Sequence, residues 1–363
     1  MVFFSYSFKI DARRLFRMNK KRLVLFLPII GMSLTSCSLA GVKYETKEYV
    51  AGTLKYKEDF RILQLTDIHL GNKDDIEYHL KFIQKTIDDA HADLIVVTGD
   101  VFTLATKSNM QRVFKFFEDN NTPWTMTWGN HDEQNYASID WMTGQLNKLA
   151  EKDGSKCIFK DLQDDDVFGN ANFVINLTED GTANSKVKQQ LIVLDSNRYN
   201  FKYFSGYDCV HADQVEWYKR VVTDTKTANG GQTVPSLAFF HIPFPEFQEA
   251  YDLVEKGDAS AKKVDADKWA FNEDVCCPKF QEGEGLYKAM KDLGSTKGCF
   301  VGHDHINTFV VDYGGIYLAY GIKATTRVYY ENDLMGGQVV SMNSANQISI
   351  QRYFHTYDEL EAK

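Results

Sequence analysis

The segment from residue 63 to residue 69 reads Leu63-Gln64-Leu65-Thr66-Asp67-Ile68-His69. A short run of this kind is typical of a buried strand, and two side chains that bind metals follow directly where it ends. The pattern recurs four more times. Strand-like runs lead into Gly99-Asp100, Gly129-Asn130-His131-Asp132, His241-Ile242-Pro243 and Gly302-His303-Asp304-His305. Because ligands at the carboxyl ends of strands converge in one crevice of an α/β sheet, these repeated endings predict a single shared site.

The rest of the chain alternates short β-rich segments with amphipathic helical patterns, which predicts an α/β fold. The predicted strands are 60–65, 94–98, 124–127, 172–176, 191–194, 237–240 and 298–301, and the predicted helices are 74–90, 109–119, 139–151, 211–225 and 285–293. Further alternating segments at 308–312, 315–320, 337–342 and 348–353 have no helix between them. We therefore expect them to form a second, largely antiparallel sheet.

The composition and charge exclude several classes of protein. A chain of 363 residues with 44% hydrophobic side chains and only six Pro can bury a large core, so it is not disordered, collagen-like or a coiled coil. Residues 1–36 hold seven of the 41 basic and one of the 50 acidic residues, which leaves a net charge of −15 on the remainder. Such an acidic surface argues against general nucleic-acid binding.

The basic start is explained by an export signal. Met18-Asn19-Lys20-Lys21-Arg22 precedes an apolar run at 23–30 and then Leu34-Thr35-Ser36-Cys37, which resembles the lipobox of bacterial lipoproteins. The resemblance implies cleavage before Cys37 and lipid attachment to it. We expect residues 1–17 to be a mis-assigned start, 18–36 the signal peptide and 37–58 a tether, with the protein held at the membrane of a bacterial cell envelope. Ser38 favours the outer membrane, facing either the periplasm or the surface.

The ordered blocks D-x-H, G-D, G-N-H-D, H and G-H-x-H between Asp67 and His305 resemble the calcineurin-like metallophosphoesterase family. The phrase Phe240-His241-Ile242-Pro243-Phe244-Pro245-Glu246 is similar to a branch grouped with the purple acid phosphatases, typified by short plant and fungal members. The resemblance implies one domain over 59–354, followed by a tail at 355–363. Its expected architecture is two facing mixed sheets flanked by helices, an αββα sandwich.

The resemblance also implies the role of each motif residue. Asp67, His69 and His305 would hold one ion, Asn130, His241 and His303 a second, and Asp100 would bridge both. His131 would face the phosphoryl group, with Asp132 behind it as an orienting carboxylate. Two positions depart from true purple phosphatases, which have Gly in place of His69 and Tyr in place of Thr103. The departure leaves the identity of the metals open.

The residue types fit this chemistry. Imidazole and carboxylate ligands without thiolate suit Fe, Zn or Mn, and two such ions can clamp the oxygens of a phosphoryl displacement. A bound ion lowers the pKa of water from about 15.7 to about 7, which would supply a hydroxide bridged between the ions. Taken singly, Asp100 reads equally as a helix cap, His241 as a core histidine and Asn130 as a turn residue. Five of the nine histidines on motif positions outweigh that interpretation.

We therefore expect metal-dependent hydrolysis of a phosphate ester, with a phosphomonoesterase favoured. The alternatives are a phosphodiesterase acting on nucleotides or lipid headgroups and, in another class, a non-catalytic lipoprotein that binds phosphorylated ligands. Arg198 is a candidate contact for the substrate phosphate, although a loop ion pair is the favoured interpretation. The charged segment 256–283 is either a lid or a surface excursion.

Overall fold

The computed structural model describes residues 48–72, 76–161, 167–200, 206–264 and 266–358. The predicted start, the signal peptide and Cys37 lie outside the described residues. Within the described ranges, no helix is both long and apolar enough to cross a membrane.

Two β-sheets form the centre of the fold. The larger has eight strands: β1 (Val50–Lys55), β5 (Phe173–Thr178), β6 (Val187–Val193), β9 (Ser236–Phe239), β10 (Ala261–Lys263), β11 (Thr296–Val301), β12 (Val310–Tyr313) and β13 (Ile316–Tyr320). The smaller has five: β2 (Ile62–Leu65), β3 (Leu94–Thr98), β4 (Trp124–Thr127), β14 (Gly336–Met342) and β15 (Ile348–Phe354). Their orders are β1-β5-β6-β9-β11-β13-β12-β10 and β15-β14-β2-β3-β4, and β7 (Tyr199–Asn200) pairs with β8 (Gly206–Tyr207) in a separate ribbon.

Alternation along the strands builds two cores. On β6, Leu191 and Val193 pack between the two sheets, whereas Ile192 points to the opposite face, because successive side chains of a strand point to opposite sides. That opposite face is covered by α4 (Ala212–Ala228), α5 (Glu246–Glu255) and α6 (Leu286–Leu293), and the outer face of the smaller sheet by α1 (Ile76–Ala90), α2 (Lys107–Asp119) and α3 (Ile139–Ala150). The predicted αββα sandwich is confirmed.

Strand direction gathers the motif residues. Strands β2, β3 and β4 are parallel neighbours in the smaller sheet, and β6, β9, β11 and β13 are parallel neighbours in the larger one. Parallel neighbours place their carboxyl ends at the same edge of a sheet. The turns that leave β2, β3, β4, β9 and β11 are those that carry the predicted ligands.

Two expectations about the elements were wrong, and one helix was missed. Residues 50–55 are not tether but edge strand β1, parallel to β5; it is only half buried, so its sequence lacks a clear alternation. The four C-terminal segments do not form a sheet of their own, since β12 and β13 extend the larger sheet while β14 and β15 extend the smaller one. Helix α5 was not predicted, because it directly follows Pro243 and Pro245, which are typical of a turn.

The expected tail is packed at its start. His355 is buried and donates its backbone N–H to the Met335 carbonyl, and the Tyr357 ring stacks on Phe82 of α1 at 5.0 Å. Residues 355–358 therefore belong to the domain.

The charged segment 256–283 is neither a free excursion nor a separate lid. Its strand β10 pairs with β12, and Glu273 accepts the backbone N–H of Ile306 at 3.1 Å. Further along, the backbone N–H of Cys276 donates to the Asp304 carboxylate. The segment thus supports the turn that carries His303 and His305.

A charged contact also anchors α4. His211 precedes this helix and lies between the carboxylates of Asp208, at 3.1 Å, and Glu282, at 3.2 Å. Glu282 also accepts the backbone N–H of Ala212. This contact ties the start of α4 to the segment before α6.

Candidate metal centre

The candidate ligands come from turns in both sheets. In the smaller sheet, Asp67 and His69 follow β2, Asp100 follows β3, and Asn130 opens a 3₁₀ turn (Asn130–Glu133) after β4; in the larger sheet, His241 follows β9, and His303 and His305 follow β11. All seven side chains are at most 7% exposed. The two sheets therefore close on one buried set of donors.

The ligand atoms form two groups that share one carboxylate. One group contains Asp67, His69, Asp100 and His305, and the other contains Asp100, His241 and His303, with all atoms of a group within 4.8 Å of one another. The Nε2 atoms of His69 and His305 lie 2.9 Å apart. The Nε2 atom of His241 lies 3.2 Å from Asp100 Oδ2. The structure thus brings six of the seven predicted ligands into two adjoining groups.

The seventh residue, Asn130, lies beside the shared carboxylate, because the backbone N–H of the next residue, His131, donates to Asp100 Oδ1. Asn130 Nδ2 donates to the Tyr199 hydroxyl at 2.8 Å, while its buried Oδ1 makes no hydrogen bond within the described residues. Asp100 Oδ2 and His303 Nε2 are buried without a hydrogen bond in the same way. A buried polar atom left without a partner costs about 1–3 kcal/mol, and a bound cation would remove that cost. The residues present therefore fit a pair of metal ions.

Hydrogen bonds outside the groups orient the histidine rings. His241 Nδ1 donates to the Thr98 carbonyl and His305 Nδ1 to the Tyr329 carbonyl, each at 2.8 Å. Since a carbonyl can only accept, both rings carry a proton on Nδ1, which leaves Nε2 as the atom that a metal would take in place of a proton.

The two departures from the purple phosphatase pattern are in contact with each other. His69 Nδ1 lies 2.9 Å from the Thr103 hydroxyl. Thr103 thus orients His69 as the carbonyls orient His241 and His305. His69 and Thr103 therefore support each other, and the first group keeps all its ligands although both residues differ from the purple phosphatase pattern.

The electrostatics favour ionised carboxylates. Burial would raise the pKa of Asp67, but its hydrogen bond and its attraction to His305 lower that pKa. Burial would also raise the pKa of Asp100, but the attraction to His241 holds it well below the usual value. Conversely, burial would lower the pKa of His241, but the Asp100 carboxylate raises it to about 9. Burial lowers the pKa of His303 to about 3. The centre therefore presents two carboxylates and a neutral imidazole, as metal ligands must be.

The backbone around the ligands is strained. Asp67, His69, Asp100 and His303 have φ angles of 54°, 53°, 50° and 80°. This left-handed region costs a non-Gly residue about 1–3 kcal/mol and is concentrated at functional sites. Close packing adds to the constraint, because a Cβ at Gly302 would overlap the Thr66 hydroxyl and lie 2.7 Å from Asp67 Oδ2.

The two residues predicted to be catalytic have different surroundings. The His131 ring lies edge-on to His69, with centroids 5.0 Å apart, and its Nδ1 lies 2.8 Å from Gln134 Oε1. Asp132 does not orient His131: its two oxygens accept the backbone N–H groups of Phe102 and Gly129. The expectation for Asp132 was wrong because its carboxylate instead joins its own turn, through Gly129, to the loop after β3, through Phe102. Gln134 takes the orienting position instead.

The structure gives Arg198 a loop ion pair. Its guanidinium lies 3.4 Å from Asp195 Oδ2 and 3.4 Å from Asn170 Oδ1, and the side chain is 9% exposed. This contact is the favoured interpretation of Arg198. Its role as a substrate contact stays a prediction.

Sequence reasoning missed four residues beside the ligands. They are Gln134, Tyr199, Lys323 and Tyr329, which contact His131, Asn130, the Asp67 carbonyl and His305. Lys323 is buried, which lowers its pKa to about 7 despite the nearby carboxylates. Of these four, only Gln134 could have been found from the sequence, because it lies three positions after His131.

Two adjoining groups of buried carboxylates and imidazoles that share one carboxylate are typical of proteins with two-metal sites, and the site of this chain falls within that class. The family model of calcineurin-like phosphoesterases matches residues 60–307, so the chain belongs to that family. The family predicted from the sequence blocks is confirmed.

The individual proteins that this chain is similar to share between 13% and 27% of their aligned residues with it. "Probable inactive purple acid phosphatase 29" of Arabidopsis thaliana is 27% identical over 289 residues, covering 72% of this chain and 71% of the relative. "Phosphatase DCR2" of Saccharomyces cerevisiae is 26% identical, covering 69% of this chain and 44% of the relative. Among solved structures, a dimetal phosphatase from Danio rerio superposes with a TM-score of 0.49 at 13% identity, covering 79% of this chain and 94% of that one.

Proposed function

We propose that this chain is a metal-dependent phosphoesterase that hydrolyses phosphate esters, with monoesters preferred. The observation that carries the proposal is the pair of buried ligand groups joined by Asp100. Asp100 Oδ2, Asn130 Oδ1 and His303 Nε2 are also buried without a hydrogen bond among the described residues. When bound, two ions would activate water and neutralise charge on the phosphoryl group.

The chain's own residues supply positioning and a proton. The backbone N–H of His131 donates to Asp100 Oδ1 at 2.8 Å, which fixes the loop against the shared carboxylate. With Nδ1 donating to Gln134, a His131 ring that also carries a proton on Nε2 could donate that proton to the leaving oxygen and return to the neutral form with its proton on Nδ1. Such general acid catalysis contributes roughly 10²- to 10⁴-fold.

The test compares a chromogenic phosphomonoester with the matching diester, using metal-loaded protein and the Asp100→Asn variant. We expect faster turnover of the monoester and at least a hundredfold loss in the variant, because the shared ligand loses its charge. Equal turnover by wild type and variant would refute the mechanism. Faster turnover of the diester would replace the monoesterase assignment with the phosphodiesterase alternative.

A non-catalytic role is the second candidate, favoured by the word "inactive" in the printed names of three plant relatives. In that case the metal-loaded protein would bind inorganic phosphate without turning over either ester. The seven ligand side chains present in this chain favour catalysis over this role.

We also propose that Cys37 is acylated and holds the protein at the bacterial envelope. The support is the sequence of the export signal alone. Analysis of the N-terminus of the exported protein tests it: a mature chain that begins at an acylated Cys37 supports the anchor, and one that begins earlier refutes it.

A further inference from the structure

Five large hydrophobic side chains are exposed among the described residues, and all five lie on loops next to the metal centre. They are Leu104, Tyr136, Val328, Tyr329 and Tyr330, with exposed fractions between 40% and 67%. We call these five side chains the apolar rim. Exposed apolar side chains that gather in one place mark a binding surface more often than scattered ones do.

One side of the apolar rim adjoins His69. Leu104 directly follows Thr103, whose hydroxyl contacts His69 Nδ1. The backbone N–H of Leu104 donates to the Gln134 carbonyl at 3.2 Å, and that of Tyr136 donates to the Ala105 carbonyl at 3.1 Å. Leu104 and Tyr136 therefore stand on two loop segments that are hydrogen-bonded to each other beside the first ligand group.

The other side adjoins His305. The Tyr329 ring stacks on the His305 ring, with centroids 4.1 Å apart and planes at 22°. The Tyr329 carbonyl accepts from His305 Nδ1, and its hydroxyl donates to the Glu273 carboxylate at 3.1 Å. These contacts fix the ring while 44% of the residue stays exposed. A rigid aromatic surface binds a ligand without a further ordering cost.

The backbone before Tyr329 is also constrained. Val328 has a φ of 66°, which is exceptional for a β-branched residue, and it is 53% exposed. The fold thus holds an apolar side chain outward at the expense of backbone strain. Strain of this kind is concentrated at ligand-binding positions.

The two sides meet at the first ligand group, since the Nε2 atoms of His69 and His305 are 2.9 Å apart. Two basic side chains beside the ligands are engaged by the protein, since Lys323 donates to the Asp67 carbonyl and Arg198 pairs with Asp195, while a third, Arg327, directly precedes Val328 of the apolar rim. The two engaged side chains, Lys323 and Arg198, would neutralise little of the charge of a leaving group with several phosphates. An apolar leaving group would instead contact the side chains of the apolar rim.

We propose that the apolar rim binds the leaving group of the substrate, so that the preferred substrates are esters of a single phosphate with a large alkyl or aryl group. This inference rests on the proposed function, because it takes the metal centre as the site that holds the phosphate.

The experiment measures binding rather than turnover. Metal-loaded protein is titrated calorimetrically with n-alkylphosphonates from ethyl to octyl, which cannot be hydrolysed, and with phenylphosphonate as the aryl probe. Full burial of one methylene corresponds to about a fourfold gain in affinity, so a half-exposed rim should give about twofold per methylene. The wild-type protein should therefore bind octylphosphonate tens of times more tightly than ethylphosphonate.

The Leu104→Ser, Tyr330→Ser double variant should lower the octyl-to-ethyl affinity ratio at least fivefold. The matched control is Tyr56→Ser: β1 runs opposite to β6 and β9, so Tyr56 after its carboxyl end lies at the far edge of the sheet. The control should keep the wild-type ratio.

The outcomes separate this inference from the proposed function. Equal affinity for every chain length in the wild type, or an unchanged ratio in the double variant, would overturn the role of the apolar rim and leave the phosphoesterase proposal standing. Failure to bind any phosphonate would overturn both. Chain-length-dependent binding without turnover of any ester would support the rim and count against catalysis.

Discussion

Replacing Thr103 by Val tests how the fold compensates for its departure from the purple phosphatase pattern. The change keeps the shape of the side chain and removes the hydroxyl that lies 2.9 Å from His69 Nδ1. The His69 side chain is 0% exposed, so water cannot readily take the place of the hydroxyl. A buried donor left without a partner costs about 1–3 kcal/mol, or about 5- to 150-fold in affinity. Loss of such outer contacts typically weakens metal binding or activity about 10- to 100-fold.

The assay is competition for the metal against a chelator of known affinity, followed by ester hydrolysis at saturating metal. Thr103→Val should lower the affinity for one of the two metal ions by about 10- to 100-fold. Thr103→Ser, which keeps a hydroxyl, should retain most of the wild-type affinity. The matched control is Thr125→Val on β4, because the buried Thr125 hydroxyl makes no hydrogen bond among the described residues. Unchanged metal affinity in Thr103→Val would refute the orienting role of this hydroxyl.

Three further predictions concern single contacts. Gln134→Leu should lower kcat about tenfold with unchanged metal content, because His131 loses the partner of its Nδ1; an equal loss of metal would argue for a structural role instead. Tyr199→Phe removes the acceptor of Asn130 Nδ2, so chelator competition should show weaker binding of the second ion by about 5-fold or more. Burial would lower the pKa of His211, but the two carboxylates that flank it raise that pKa above 6.5. The contribution of His211 to the free energy of unfolding is therefore complete below pH 6.5 and is lost as the pH rises through the raised pKa. Urea unfolding of His211→Asn should thus show a loss of about 1 kcal/mol at pH 6 that disappears at alkaline pH, and a pH-independent loss would contradict this assignment.

Much of the fold could be predicted because the central strands are short, apolar and bounded by sharp turns. Strands β3 and β4 lie at the predicted residues. The edge strand β1 escaped prediction because its half-buried side chains follow no period. The assignment of β12 to β15 to two different sheets depends on pairing between distant segments, such as β14 with β2, and no local pattern encodes it.

The candidate ligands could be predicted because each follows a strand end within two to four residues. Their supporting contacts could not. Tyr329 reaches His305 from 24 positions away, and Lys323 reaches the Asp67 carbonyl from 256 positions away. Asp132 shows the reverse error: its place next to His131 in sequence suggested a contact, but its carboxylate accepts the backbone N–H groups of Phe102 and Gly129 instead.

The most direct test of the account is anomalous X-ray diffraction from crystals of the metal-loaded protein. The account predicts two peaks about 3.5–4 Å apart with Asp100 between them. One peak should lie against Asp67, His69 and His305, and the other against His241 and His303. We expect Asn130 to lie beside the second peak. A single peak, no peak, or metal bound away from these side chains would contradict it.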